Sequence, residues 1–220
     1  MKSRIITTLS IVCMLGCAAM VAAQITEPKT GKTFDTKISL PGASEPTLRC
    51  VGAGLRTKFV VKVYAGSLYL DEQSAPQVLA SFKGVSVATL QGSPEFYKAI
   101  ITSTSPKAIL MKFVRDVGKD KIREAYAEGL EKTLGEIEKS PLKADAEKFL
   151  AMFNDDILEN DQIALFGKGS AVNVWVKGKE KGTVDNTKLA EAIWSIWLGP
   201  KPVTEDLKKG MVSQVDWAVK

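Results

Sequence analysis

Residues 52–70 read Gly-Ala-Gly-Leu-Arg-Thr-Lys-Phe-Val-Val-Lys-Val-Tyr-Ala-Gly-Ser-Leu-Tyr-Leu, and this segment carries the strongest structural signals in the chain. From Phe59 to Leu70 it is rich in β-branched and aromatic residues, and apolar residues alternate with others in places, which is typical of a long strand. A second apolar run precedes Gly52. Because glycine permits tight backbone conformations, we predict a strand before residue 52, a turn within residues 52–58 and a long strand after it.

Shorter elements follow this pair of strands. Their apolar patterns predict, in order, a short helix at residues 74–81, a strand at 85–90, a short helix at 94–101 and a strand at 108–114. The apolar spacing then changes from two to three or four. Ile122, Tyr126, Leu130 and Leu134 indicate one amphipathic helix, and residues 142–153 indicate a second.

The end of the chain returns to strands and finishes in helices. Residues 162–166 and 171–176 flank a glycine-rich turn and predict a hairpin, with a short strand near residues 182–184. Asn186 and Thr204 are predicted N-caps of the last two helices. Strands first, paired helices next and a returning hairpin indicate one α+β domain, with a largely antiparallel sheet covered on one face by helices.

The first 23 residues have a different composition. A basic start with Lys2 and Arg4 precedes an uncharged run over residues 5–23, which ends in the small residues Val21-Ala22-Ala23. This order is typical of a secretory signal peptide, so we predict cleavage after Ala23. The mature domain would then span residues 24–220, would be exported to the periplasm or cell envelope, and would lack a transmembrane segment.

Two other interpretations of this leader remain open. The uncharged run is nearly long enough to span a bilayer as an uncleaved anchor. The sequence Leu15-Gly16-Cys17 also resembles a lipoprotein processing site, which would leave a lipid on Cys17. Cys13 and Cys17 both lie in the leader. A mature chain would therefore keep only Cys50, which cannot form an internal disulfide and which we interpret as an inert buried thiol.

The composition excludes several classes of function. The chain has no histidine, which rules out Ser-His and Cys-His catalysis, and a single mature cysteine leaves no ordinary zinc site. No loop has the acid spacing of a calcium site, so we expect neither metal nor cofactor. The net charge is +5, but the charges are interspersed and no basic stretch alternates with aromatic residues. We therefore do not expect nucleic-acid binding.

Arg56 is the main candidate for a binding residue. It follows two glycines and lies between two apolar runs, where its guanidinium would present several donors suited to a carboxylate or a polarised carbonyl. The other interpretation is a turn arginine that faces water. Tyr126 lies on an apolar helix stripe, and from the pattern alone it is more typical of the core.

A succession of short segments resembles the chalcone isomerase family, in its exported bacterial branch. The segments that carry the resemblance, in consistent order over residues 35–215, are Gly52-Ala53-Gly54-Leu55-Arg56, Lys62-Val63-Tyr64-Ala65, Glu95-Phe96-Tyr97-Lys98, Ala146-Glu147-Lys148-Phe149, Leu189-Ala190-Glu191-Ala192-Ile193 and Trp197-Leu198-Gly199-Pro200. The resemblance implies an open-faced β-sandwich, in which a curved antiparallel sheet carries helices on one face.

The resemblance also implies a site, in part. Catalytic members cyclise a chalcone with an arginine that stabilises developing charge, and Arg56 matches that arginine. Tyr64 falls where the enzymes have threonine and where the plastid fatty-acid-binding members have tyrosine. Lys121 falls where the enzymes have tyrosine. Their asparagine falls at Glu128 or Gly129, and Ala190 lies near a position that usually bears a hydroxyl. Most of the catalytic groups are therefore replaced.

Three functions follow as hypotheses. The first is an exported, non-catalytic protein that binds a fatty-acid-like or other small amphipathic ligand in an apolar cleft, through Arg56, Tyr64, Lys121 and Tyr126. The second is an isomerase of the intramolecular lyase type that uses Arg56 as its electrophile. The third is an envelope protein that acts through a protein partner and has no pocket function. The sequence identifies neither the ligand nor a partner.

Overall fold

Seven antiparallel strands that lie side by side in chain order form the main sheet, and the two strands that precede them form a separate ribbon. The computed structural model describes residues 23–45 and 47–220. The strands are β1 Gln24–Thr26, β2 Thr33–Asp35, β3 Lys37–Ile38, β4 Leu48–Lys58, β5 Val61–Asp71, β6 Lys107–Phe113, β7 Gln162–Lys168, β8 Ala171–Val176 and β9 Lys179–Asp185. The helices are α1 Ala75–Val78, α2 Val87–Leu90, α3 Pro94–Thr102, α4 Lys119–Leu134, α5 Lys143–Ala151, α6 Thr187–Leu198 and α7 Glu205–Gly210.

The two faces of the sheet bury separate sets of apolar side chains. The larger set lies between the sheet and the helices and includes Phe149, Trp194 and Trp197. The smaller set lies on the opposite face, where Phe34 of the β1–β2 ribbon packs near Cys50 and Tyr69. The predicted α+β class, with helices on one face of a curved antiparallel sheet, is confirmed. The ribbon shields part of the other face.

The turn predicted within residues 52–58 is wrong. Strand β4 continues through both glycines to Lys58, and the chain reverses at Phe59-Val60. The glycines serve packing instead, because a Cβ on Gly54 would lie 2.8 Å from the carbonyl oxygen of Leu207 in α7. We call residues 48–54 and their partners 66–71 the hairpin base, and residues 58–62 the hairpin tip.

The strand predicted at residues 85–90 is also wrong. Its second half is the short helix α2, whose N-cap Ser86 accepts a hydrogen bond from the amide of Thr89. Only Leu90 of this helix is buried. Residues Val85 and Val87 favour strands, but the Ser86 cap stabilises a helical turn at this point of the chain.

The other predicted elements are present with small shifts at their ends. The Asn186 side chain caps α6 as predicted, since it accepts from the amides of Lys188 and Leu189. Thr204 occupies the N-cap position of α7 but makes no side-chain capping bond. The predicted signal peptide falls almost wholly on residues 1–22, outside the described residues, so its cleavage point stays a prediction. Among the described residues, no helix is both long and apolar enough to cross a bilayer.

Candidate functional site

Arg56 and Tyr64 meet near the end of the β4–β5 hairpin. They are eight positions apart in the chain, yet the reversal at Phe59-Val60 makes them direct cross-strand partners. The guanidinium carbon of Arg56 lies 5.5 Å from the centre of the Tyr64 ring, within the range of a cation–π contact. Arg56 is half-buried, whereas Tyr64 is 3% exposed and points into the helix-side core.

A small cavity opens beside this pair, between the sheet and the helices α4 and α6. Its volume is about 20 Å³. It is lined by Arg56, Tyr64, Met111, Phe113, Ile122, Ala125, Tyr126, Ile196, Trp197 and Val203. A cavity of this size holds about one water molecule, whereas pockets for small molecules usually measure about 300–1,000 Å³. The structure therefore presents a closed site.

The polar groups around the cavity are hydrogen-bond donors. The Trp197 indole Nε1 donates to the Tyr64 hydroxyl oxygen at 2.8 Å, which leaves the Tyr64 proton available for another acceptor. Among the described residues, the hydrogen-bond partner of the Tyr126 hydroxyl is the Met111 sulfur, a weak acceptor, at 3.8 Å. Within the described part of the chain, no carboxylate forms an ion pair with Arg56.

Burial keeps both tyrosines protonated. It raises the pKa of Tyr64, although Arg56 and the Trp197 hydrogen bond oppose part of that rise. Burial also raises the pKa of Tyr126 well above its usual value. Both side chains are therefore neutral O–H donors near neutral pH. A guanidinium and two hydroxyl donors around one cavity are suited to an oxygen acceptor such as a carboxylate or a carbonyl.

The wall behind the donors is aromatic. The Tyr126 ring stacks on Phe153 with centroids 4.0 Å apart and meets the edge of Phe149 at 5.5 Å. It also contacts Trp197 at 6.0 Å. Tyr126 is thus a core residue, as its helix pattern indicated, and at the same time it lines the cavity.

The structure does not bring Lys121 to this cavity. Its ammonium lies 2.5 Å from Glu124 on the exposed side of α4, and its side chain is 71% exposed. Glu128 is exposed as well, while Gly129 packs against Ile196 and Ala190 is buried outside the cavity lining. Of the four predicted binding residues, Arg56, Tyr64 and Tyr126 come together and Lys121 does not.

Trp197 is the residue that sequence reasoning missed. It lies on the apolar face of α6 and is 1% exposed. The indole nitrogen has a second role, since it fixes the Tyr64 hydroxyl. An apolar stripe gives no signal for such a bond, because the partner lies 133 residues away in the chain. Among the described residues, no group of three or more His, Cys, Asp or Glu side chains is arranged to hold a metal ion.

Comparisons with known proteins agree on one family. A family model described as chalcone isomerase-like matches residues 28–213. A chalcone–flavanone isomerase of Callistephus chinensis is 26% identical over 200 residues, covering 83% of this chain and 82% of the relative. Chalcone–flavanone isomerase 2 of Lotus japonicus is 27% identical over 198 residues, covering 83% and 89%.

A solved structure has the same fold. The crystal structure of a fatty-acid binding protein from Arabidopsis thaliana superposes with a TM-score of 0.74 at 19% identity, covering 90% of this chain and 99% of that one. At this identity the match establishes the architecture alone. It confirms the curved antiparallel sheet with packed helices that the sequence predicted.

Proposed function

Since this chain belongs to the chalcone isomerase-like family, we propose that it is an exported, non-catalytic member that binds a small amphipathic ligand, with a fatty-acid-like carboxylate held at Arg56. The observation that carries the proposal is the set of donors around one apolar cavity: the Arg56 guanidinium and the Tyr64 and Tyr126 hydroxyls. A carboxylate accepts hydrogen bonds at both oxygens and neutralises the guanidinium, so it fits a site where a cation and two hydroxyls can all donate.

The identity of the replaced residues supports binding rather than catalysis. In the catalytic relatives several groups orient the carbonyl, whereas here Lys121 is paired with Glu124 at the surface and Glu128 is exposed. Arg56 alone would have to stabilise the developing charge. Tyr64 matches the tyrosine of the fatty-acid-binding members, and a solved neighbour bears the name of a fatty-acid binding protein.

Ligand entry requires the site to open. An acyl chain needs far more room than about 20 Å³, so the side chains between the sheet and α4 must separate. The lining includes Met111, whose unbranched thioether side chain adapts easily to a changed neighbourhood. Helix α4 contacts α6 closely where Gly129 faces Ile196. We propose that α4 moves away from α6 and that the tail occupies the space between them.

Head-group recognition can be tested with two ligands that share a tail. We expect the protein to bind hexadecanoate more tightly than hexadecanol by about 10–100-fold, the range of a charge-assisted hydrogen bond. Arg56→Gln should remove this preference. Arg49→Gln is the matched control, because Arg49 is also half-buried but is paired with Glu72 and stacked on Trp217. Isothermal titration calorimetry measures both affinities. If neither ligand bound, the proposal would be overturned.

The isomerase alternative has its own assay. The named activity of the relatives favours it, and a chalcone provides an absorbance that decays on ring closure. Under our proposal the decay with the protein equals the decay in buffer. A faster decay that Arg56→Gln abolishes and Arg49→Gln keeps would assign the chain to the enzymes instead.

Export is a separate part of the proposal. We expect mass spectrometry of the protein recovered from the periplasm of an expressing bacterium to find Gln24 as its first residue. A cytoplasmic protein that still begins at Met1 would overturn export. A mass that requires a lipid on Cys17 would assign the chain to the lipoproteins.

A further inference from the structure

The hairpin tip exposes three consecutive apolar side chains. Phe59 is 93% exposed, Val60 94% and Val61 39%. In the described part of the chain, Leu158 is the other exposed large hydrophobic residue, at 52%. Single exposed apolar residues are common, but consecutive ones at the end of a projecting hairpin are not, and they indicate an interaction site.

The backbone of the tip is also unfavourable. Phe59 has a φ of +57° and begins the two-residue connection between the paired residues Lys58 and Val61. Glycine usually occupies that position because a bulky residue is strained there. The fold thus keeps a large apolar residue in a strained and fully solvated position. Neither feature stabilises the hairpin, so the side chain serves a contact outside this chain.

The charges around the tip indicate the chemistry of that contact. Lys58 and Lys62 flank the apolar residues directly, and residues 56–62 contain three cations and no acid. The Lys62 ammonium donates to the carbonyl oxygen of Lys29 at 2.6 Å, which neutralises none of its charge. The nearby Glu124 is already paired with Lys121. An apolar wedge between cations matches a bilayer surface with anionic head groups.

We propose that the hairpin tip inserts into the surface of an anionic membrane, with Phe59 and Val60 at the boundary of the acyl chains and both lysines among the phosphates. A membrane fits better than a folded protein, since a stable protein interface needs about 800 Å² on each side and the tip offers only three adjacent apolar residues. The inference goes beyond ligand binding and holds whether or not the cavity takes a ligand.

Insertion would place the cavity close to the membrane. Arg56 precedes Phe59 by three residues of strand and turn, which is about 10 Å at most. The Arg56 guanidinium would then lie near the level of the head groups. An amphipathic molecule leaving the bilayer would meet this cation first, which gives the closed cavity a direct source of ligand.

Vesicle binding tests the proposal with the protein as recovered from an expressing cell. We expect it to co-sediment with vesicles of phosphatidylcholine containing about 30% phosphatidylglycerol, and much less with phosphatidylcholine alone. Phe59→Gly combined with Val60→Ser should lower the partition coefficient by about tenfold or more. Lys58→Gln combined with Lys62→Gln should lower binding to the anionic vesicles by about tenfold and leave the neutral ones unchanged.

The controls address folding, the N terminus and the rival occupants. Leu158→Ser removes an exposed apolar residue elsewhere and should bind as the parent does. In the presence of vesicles, backbone hydrogen exchange should slow over residues 56–62. It should stay unchanged over residues 168–171, at the opposite end of the sheet. This local measurement does not depend on whether the N-terminal segment also binds the vesicles. Unchanged exchange at the tip, or equal binding by the tip variant, would overturn the proposal. A dimer that Phe59→Gly dissociates would also overturn it, in favour of a protein interface.

Discussion

The two ends of the β4–β5 hairpin differ in where glycine occurs. At the hairpin base, Gly54 and Gly210 approach so closely that neither position has room for a Cβ. At the hairpin tip, Phe59 is solvated and occupies a backbone region that favours glycine. Glycine therefore occurs at the base, where close packing leaves no room for a side chain, and is absent from the tip, where the turn conformation favours it. The packing of this chain explains the residues at the base, whereas a contact outside the chain explains the residue at the tip.

The largest effect should come from filling the base. In Gly54→Ala the new Cβ would lie 2.8 Å from the Leu207 carbonyl oxygen and 3.0 Å from its Cα, and backbone atoms cannot rotate away. We expect the free energy of unfolding to fall by about 2–4 kcal/mol. Chemical denaturation measures the loss. Gly92→Ala is the matched control, because its nearest atom would be 3.6 Å away and the change should be small.

The second-largest effect should distinguish Tyr64 from Tyr126, the two buried tyrosines that line the cavity. Tyr64→Phe would leave the buried Trp197 indole nitrogen without its acceptor, which should cost about 1–3 kcal/mol of unfolding free energy. Tyr126→Phe removes only a 3.8 Å contact with sulfur and should cost less than about 1 kcal/mol. If chemical denaturation showed the same loss of unfolding free energy in both variants, the hydrogen bond from Trp197 to Tyr64 would not stabilise this end of the hairpin.

A pH-dependent effect is expected at the base. Lys107, the partner of Leu70, donates to the carbonyl oxygens of Ile100, Ile101 and Ser103 at the end of α3. Burial lowers its pKa from 10.5 to about 7, with partial opposition from Glu191. Between these values the folded chain binds fewer protons than the unfolded chain. The contribution of Lys107 to the free energy of unfolding should therefore rise with pH, by at most about 1.4 kcal/mol per unit.

Lys107→Met provides the comparison for that rise. Denaturant unfolding from about pH 7 to pH 9, about one unit below the ordinary tyrosine pKa of about 10, should show the parent gaining stability relative to the variant. A constant difference across the range would mean that the three carbonyls keep the ammonium charged in the folded state.

The smallest effect should come from relieving the tip. Phe59→Gly removes the positive-φ strain, partly offset by the flexibility of glycine in the unfolded chain, and should raise the free energy of unfolding by about 0.5–1 kcal/mol. Phe59→Ala keeps the strain and should leave stability nearly unchanged. A loss of stability in Phe59→Gly would show that the phenyl ring supports the fold, and the contrast between tip and base would fail.

The sequence predicted the class, every helix of the described residues except α2, and most strands, because apolar spacing and caps act locally. The predicted position of the hairpin turn was wrong because Gly52 and Gly54 indicate unusual conformational freedom of the backbone, but not whether a turn or a close contact requires it. The close contact that requires these glycines, with Leu207 and Gly210 of α7, lies about 150 residues further along the chain. Arg56 was found as a candidate from a charge between apolar runs and from the family resemblance. Tyr64 was found from the resemblance, and Tyr126 from its place on a helix stripe.

The remainder of the site depended on distant pairing. Lys121 was predicted by correspondence with a family position, but the helix turns that side chain to the solvent, where Glu124 binds it. Trp197 was not among the predicted site residues, because an indole on an apolar stripe gives no sign of its hydrogen-bond partner. The cavity volume depends on how ten side chains meet, and no local pattern contains that information.

The buried thiol on the ribbon side of the sheet has a consequence for an oxidising compartment. Burial raises the pKa of Cys50 to about 11, and the side chain is 2% exposed, so the folded protein offers almost no thiolate to a passing disulfide. An unfolded copy loses that protection at once. A chain that begins at Gln24 keeps Cys50 as its one cysteine. Each molecule that unfolds would expose this thiol to disulfide formation, and the rate of thiol labelling would report the rate of unfolding.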